Sequence, residues 1–228
     1  MNYLAHGWRF TADPYFLAGT SAPDWLSVID RKVRMRRRNV EPHATPTDQT
    51  KARFARGVLQ HLADDDWFHT TQAFSDLSWQ FTLAIRDQLP ADDGLRPSFL
   101  GHILVELMLD AALDREDPQR LDDYYLALAH LDPYQLQTMV SELATRPTDR
   151  LLLLLPRFLT ERFLYDYRDD DKLFRRLEQV MRRVKLPPLP EGLKRLLPDM
   201  REAVWLRRHE LLTPTSTTLS ASDSPPED

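Results

Sequence analysis

His61, Asp65 and His69 recur at four-residue intervals, and His102 and Glu106 repeat that spacing further along the chain. On an α-helix the interval puts neighbouring side chains on one face. Two such helices packed face to face aim imidazoles and carboxylates at a common point, which is how helical proteins build metal centres. The stretch from Gly101 to Asp110 is strongly apolar apart from these groups, so His102 and Glu106 are expected to be buried. A buried carboxylate without a partner is costly. Glu106 therefore calls for an arginine, for His102 or for a metal ion.

The rest of the chain agrees with helices. Only six glycines occur among 228 residues, Leu, Arg, Asp and Ala are abundant, and no segment alternates apolar and polar residues as a half-buried strand does. Ten Phe, seven Tyr and five Trp within 42% hydrophobic content supply an ample core. The fold expected is all-α, one multi-helix domain over residues 1–212 with a metal site between helices. A Ser/Thr/Pro and acidic tail, residues 213–228, has almost nothing to bury and is expected to be disordered. Along the chain, a first helix should break near Asp13 and Pro14, and a turn through Gly19, Ser21 and Pro23 should feed a short helix from Asp24. Residues 42–46 read as loop, with Thr47 and Asp48 capping a long helical stretch to about Leu89 that breaks near 75–78. After a loop over 90–97, Ser98 caps a helix to about Leu113. Further helices are expected over 119–129, 133–144, 148–167, 172–184 and 191–209.

Eight residues of helix rise about 12 Å, too far for His61 and His69 to share one ion. Asp65 would then be a middle ligand between two ions, unless the helix bends. His6 and Asp24 are further candidates. Each residue also has a plainer role: an N-cap for Asp24, hydrogen-bonded core positions for the histidines, solvent exposure for Asp64 and Asp66. With no cysteine in the chain, disulfides, thiolate nucleophiles and Cys-based zinc sites are excluded. Any ion must sit on His, Asp and Glu, which suits one to three divalent Mn, Zn or Fe ions.

The net charge of −5 conceals local asymmetry. Residues 31–38 hold six cations and no acid: Arg31, Arg34, Arg36, Arg37 and Arg38 with Lys32. Such a segment attracts phosphates or acidic proteins. A second basic run, residues 175–185, reads as a solvated helix face. The longest apolar run, Leu151 to Leu155, is far shorter than the ~18 residues of a membrane span. No basic n-region followed by an apolar core marks a signal peptide, so a cytoplasmic location is the default.

The opening Met1 to His6, the stretch from Phe16 through Gly19 to Pro23, Asp24 and Leu26, and the run from Gly57 through His61 to Asp65 resemble the acyl carrier protein phosphodiesterases. Tyr167, Arg168 and Asp169, with the helix start that follows, are similar to that family's C-terminal region. The elements come in the family's order over most of residues 1–180. The Ala18-Gly19-x-x-x-Pro23-Asp24 pattern and the His-x-x-x-Asp and His-x-x-x-Glu pairs are also similar to the zinc-dependent phospholipase C and P1 nuclease group, all-helical proteins that hold metal ions on His, Asp and Glu. Both resemblances imply metal-dependent phosphodiester hydrolysis. They support His6, Asp24, His61 and Asp65 as site residues and match His102 to a family histidine. Gly101 departs from the pattern, because the carrier-protein hydrolases place an aspartate there; Glu106, a turn later, offers the carboxylate instead.

The implied reaction releases 4′-phosphopantetheine from a carrier-protein serine. Two ions would grip the phosphate and activate a water for in-line attack, with Asp24 or Asp65 bridging the ions or orienting that water. The basic segment Arg31–Arg38 would offset phosphate charge or dock an acidic or phosphorylated partner. Competing readings are a phospholipase C-like or other small phosphodiesterase, and a non-catalytic helical interaction module. The acidic net charge and lack of a recognised motif argue against a nucleic-acid binder.

Overall fold

The computed structural model describes residues 1–45, 48–89 and 94–214. In chain order the helices are α1 (Tyr3–Gly7), α2 (Pro14–Ile29), α3 (Arg37–Val40), α4 (Gln49–Phe68), α5 (Gln72–Arg86), α6 (Pro97–Glu116), α7 (Pro118–Ala129), α8 (Pro133–Leu143), α9 (Leu151–Glu161), α10 (Asp170–Val184) and α11 (Leu197–Leu211). Single 3-10 turns cover Glu41–His43, Phe163–Arg168 and Glu191–Leu196. Among the described residues there is no strand, only an isolated bridge between Met35 and Ala144. The fold is all-α. No helix among the described residues is long and apolar enough to cross a membrane.

Helix α6 is the axis of the molecule. Residues around its whole circumference are buried, from Leu100 through Leu104, Val105 and Met108 to Leu113, as expected of a helix enclosed by others. It packs against α1, α5, α7, α11 and the Phe163–Arg168 turn, while α2 packs along α4. Its two buried acids are both partnered. Asp114 accepts a two-pronged bond from Arg168, at 2.6 and 2.8 Å. Asp110 accepts from the backbone N–H groups of Leu4 and Ala5, at 3.1 and 2.8 Å, and from the Asn2 amide at 2.8 Å. A five-residue helix has little stability of its own, and Asn2 makes no side-chain cap bond. Asp110 caps α1 from another helix, and so fixes the segment that carries His6.

Several boundaries differ from the sequence reading, each for a local reason. The expected turn at Gly19, Ser21 and Pro23 is helix: α2 runs unbroken from its N-cap Asp13, with Pro23 inside it. Gly19 is there for close packing. A Cβ on it would lie 2.1 Å from the Phe54 carbonyl, and one on Gly57 would lie 2.0 Å from that of Phe16. Asp24 is therefore mid-helix and caps nothing. The break after α4 falls at residues 69–71, earlier than 75–78. There the Thr70 and Thr71 hydroxyls donate to the Trp67 and Phe68 carbonyls, and Thr71 Oγ1 accepts from Phe74 N–H to start α5.

Pro97, not Ser98, opens α6, at the first-turn position where its missing N–H does no harm. The single helix expected over 148–167 ends at Arg162, whose left-handed backbone (φ 43°) leads into a 3-10 turn. Glu191–Leu196 is likewise a 3-10 turn ahead of α11, and residues 41–43 form another instead of open loop. Asp48 caps α4 as expected. The cap partner Thr47, residues 90–93 of the expected 90–97 loop and the tail from residue 215 lie outside the described residues.

Candidate metal centre

The crossing of α2 and α4 at Gly19 and Gly57 brings the Thr20 carbonyl to 2.8 Å from His61 Nδ1. A carbonyl only accepts, so Nδ1 carries the proton of that bond. In the neutral imidazole Nε2 then bears the lone pair, and it faces Asp65 Oδ2 at 3.4 Å. His6, delivered by α1, stacks on His61 with ring centroids 3.9 Å apart. Its Nδ1 lies 3.4 Å from Asp64 Oδ2 and its Nε2 lies 3.3 Å from Asp65 Oδ1. Asp64 is buried, contrary to the solvated position expected from sequence, because it also accepts from Gln60 Nε2 and Trp67 Nε1 at 2.8 and 3.2 Å. Asp66 is the solvated one. A carboxylate behind a histidine fixes the ring's tautomer and orientation, as in many metal sites. His6 Nε2 is buried with no hydrogen-bond partner.

The early break after α4 swings His69 off the helix line and onto α6. His69 Nε2 and His102 Nε2 converge on Glu106 Oε1 at 3.1 and 3.2 Å, with the two rings stacked at 4.9 Å. Phe74 sets its edge against both rings. His102 is partly exposed, not enclosed as expected, while Glu106 is mostly buried and borders an open cavity. The helix bend thus assigns His61 and His69 to different clusters. Asp65 belongs to the first only. His6, His61 and Asp65 form one group, His69, His102 and Glu106 the other, and in each the three ligand atoms lie within 4.8 Å of one another.

The amino group of Met1 stands between them, 2.8 Å from Asp65 Oδ1 and 3.4 Å from Glu106 Oε1. The two carboxylate oxygens are thus at most ~6 Å apart, the two contact lengths laid end to end. Burial pushes the Glu106 carboxyl up, but the Met1 ammonium, His102 and His69 overcome it and hold it down at about 2. Burial likewise opposes ionisation of Asp65, which the adjoining His6 and His61 rings and the Met1 charge keep well below the usual carboxylate range. Asp24 differs. Burial raises it to about 6, against the pull of His61 and Met1 and with the repulsion of Asp65 and Glu106. Its Oδ2 is buried and has no partner.

These residues fit a divalent cation. Tetrahedral ligands on bonds of ~2.0–2.1 Å stand about 3.3 Å from one another, and the nitrogen–oxygen separations here are 3.1–3.4 Å. Two acceptors facing each other at that distance need a cation or a proton between them. His6 Nε2 has no hydrogen-bond partner, and the buried, unpartnered Asp24 Oδ2 is one further acceptor close enough to feel the charges of His61, Asp65 and Glu106. Imidazole and carboxylate together suit Zn, Fe or Mn.

Asp24 and Glu106 also line a cavity of about 470 Å³, walled by Tyr3, Phe158 and Phe163 and rimmed by arginines from α9 and α10. The sequence reading did not find this wall, and only the basic run at 175–185 hinted at it. None of Arg31, Arg34, Arg36, Arg37 and Arg38 lines the cavity. They are exposed on a segment pinned by buried Val33 and Met35, and Arg37 reaches Asp66 at 3.7 Å. Gly101 has a structural reason: a Cβ there would lie 2.7 Å from the Ser78 carbonyl and 2.8 Å from Thr82 Oγ1. The tight α5–α6 contact leaves no room for an aspartate. Comparison with protein-family models, curated proteins and solved structures finds no match to this chain.

Proposed function

We propose that this protein is a divalent-metal-dependent phosphodiester hydrolase. The observation that carries the reading is the pair of neighbouring His-His-carboxylate clusters, each with nitrogen–carboxylate separations of 3.1–3.4 Å, beside a cavity lined by Glu106 of the second cluster and by Asp24. His6, His61 and Asp65 would hold one ion and His69, His102 and Glu106 a second. Bound there, the ions would supply charge to neutralise a phosphate and acidify a water. The chain's own residues do the rest. Thr20 and Asp64 orient the two imidazoles of the first cluster. Asp24, with its high proton affinity and free Oδ2, is suited to accept a proton from the attacking water near neutral pH. The aromatic wall excludes solvent from the ester.

The resemblance to carrier-protein phosphodiesterases makes holo acyl carrier protein the first substrate to try, with the exposed Arg31–Arg38 segment docking its acidic surface. Metal-loaded protein should release nitrophenolate from bis(4-nitrophenyl) phosphate and 4′-phosphopantetheine from holo carrier protein. Both activities should vanish with chelator and in His61→Ala. Hydrolysis of the generic diester alone would keep the enzyme class and remove the carrier protein. No turnover with Mn, Zn or Fe would remove the class.

A second reading has its own support. The Met1 ammonium already neutralises one carboxylate of each cluster from within the chain. A non-catalytic helical module closed by that ion pair would bind no metal.

A further inference from the structure

Arg157 on α9 and Arg183 on α10 are set apart by the cavity they share. Several nearby guanidinium groups are engaged: Arg168 with Asp114, Arg176 with Asp166 and Glu161, Arg201 with Asp170. Among the described residues the Arg157 and Arg183 side chains, like those of Arg175 and Arg182, have no ion pair, hydrogen bond or ring contact, but these two line the same cavity as Asp24 and Glu106. The two come from different helices and share this one space.

The same cavity has an aromatic wall. Tyr3, Phe158 and Phe163 pack edge to face at 5.3–5.7 Å, a rigid triangle that leaves no freedom to collapse into the space. Arg176 lies over Phe163, held there by its two acids, and so stiffens the same wall. The cavity is therefore lined by the carboxylates Asp24 and Glu106, by an aromatic wall and by the unpaired Arg157 and Arg183, with Glu161 and Arg176 of the same lining paired to each other. At about 470 Å³ it lies within the ~300–1,000 Å³ typical of small-molecule sites.

We propose that Arg157 and Arg183 form an anion subsite, so that the substrate carries two negative groups: the diester at the clusters and a second phosphate or carboxylate held by these arginines in the same cavity. This rests on the hydrolase reading for the role of the first anion. Guanidinium is the group that pairs with phosphate or carboxylate through two parallel bonds. Unpaired cations at the cavity mouth also draw such a ligand in from solution. A diester with no second anion uses only half of the site.

The test uses the full-length, metal-loaded protein and a series of α,ω-alkane bisphosphonates of increasing length, each compared with the alkyl monophosphonate of equal length by calorimetry. At the matching length the bisphosphonate should bind about tenfold to a hundredfold tighter, the range for a charged hydrogen-bonded contact. That advantage should disappear in Arg157→Gln/Arg183→Gln, with metal content and monophosphonate affinity unchanged. Both side chains are exposed and unpaired, so the double variant should fold normally; its melting temperature checks this. Equal binding of the two phosphonates at every length, or an advantage that survives the double substitution, overturns the subsite. The hydrolase reading fails separately. If His61→Ala leaves monophosphonate binding intact while the arginine-dependent increment persists, the metal role is wrong and the anion subsite stands.

Discussion

Replacing Asp24 with asparagine should make the metal-free protein more stable while abolishing the proposed diester hydrolysis by the metal-loaded form. Asp24 takes up its proton at about 6 in the folded protein, against an ordinary 3.8. A folded pKa above the unfolded one means that the native state binds the proton more tightly, so ionising the group opposes folding. A gap of that size is worth about 3 kcal/mol, at roughly 1.36 kcal/mol for each tenfold change in proton affinity, and nearer ~2 once the partly exposed edge of the residue is allowed for. The opposition is complete above about pH 6, falls to roughly half by pH 5 and is nearly gone by pH 4. Asparagine removes it. In chelator at about pH 8, Asp24→Asn should therefore melt ~4–10 °C above wild type, and the gain should shrink steadily as pH is lowered to 5. Added Mn or Zn should stabilise wild type more than the variant, because binding to the native state adds stability by mass action. Urea or thermal melts across this pH range, with and without metal, read all three effects. A variant no more stable than wild type at pH 8, or one whose gain ignores pH, would refute the reasoning.

Asp64→Asn should leave the melting temperature nearly unchanged but weaken metal affinity about 10–100-fold, the usual effect of losing a carboxylate behind a ligating histidine; metal titration by calorimetry checks it. Gly57→Ala should destabilise by roughly 1–3 kcal/mol, since the new Cβ meets the Phe16 carbonyl and forces α2 from α4. It should also loosen the Thr20–His61 bond and so reduce metal content, whereas unaltered stability would mean that the helices can part freely. Asp110→Ala should cost about 2–5 kcal/mol by leaving the Leu4 and Ala5 N–H groups unpaired in the core, measured by urea denaturation. Neutralising Arg34, Arg36 and Arg38 should weaken binding of an acidic carrier protein in a salt-dependent way; affinity unchanged at low salt would reduce that segment to a solvated surface.

The helical class was legible because helix-favouring composition and four-residue spacings are local properties. His61, Asp65, His69, His102 and Glu106 were legible for the same reason, as was the impossibility of His61 and His69 sharing an ion, whereas His6 has no such spacing and rested on the family resemblance. What the sequence reading missed depends on contacts between distant segments. Gly19 and Pro23 read as a turn because glycine and proline usually mark one. Only the α2–α4 crossing shows that Gly19 is there to let two backbones touch. Asp64 looked solvated because it sits among three consecutive aspartates, and nothing local reveals that His6, Gln60 and Trp67 enclose it. The Thr70–Thr71 break was hidden by strong helical periodicity on both sides. Arg157 follows a leucine run and a proline, and Arg183 sits in a basic helix face. Their shared cavity exists only once α9 and α10 are brought together.

The most direct test of a two-cluster metal centre is elemental analysis of protein purified without chelator, for wild type, His61→Ala and His102→Ala. Two equivalents of Mn, Fe or Zn are expected in wild type, and each substitution should remove one while sparing the other. A wild type that carries no metal, and takes up none when Mn, Fe and Zn are supplied, would contradict it.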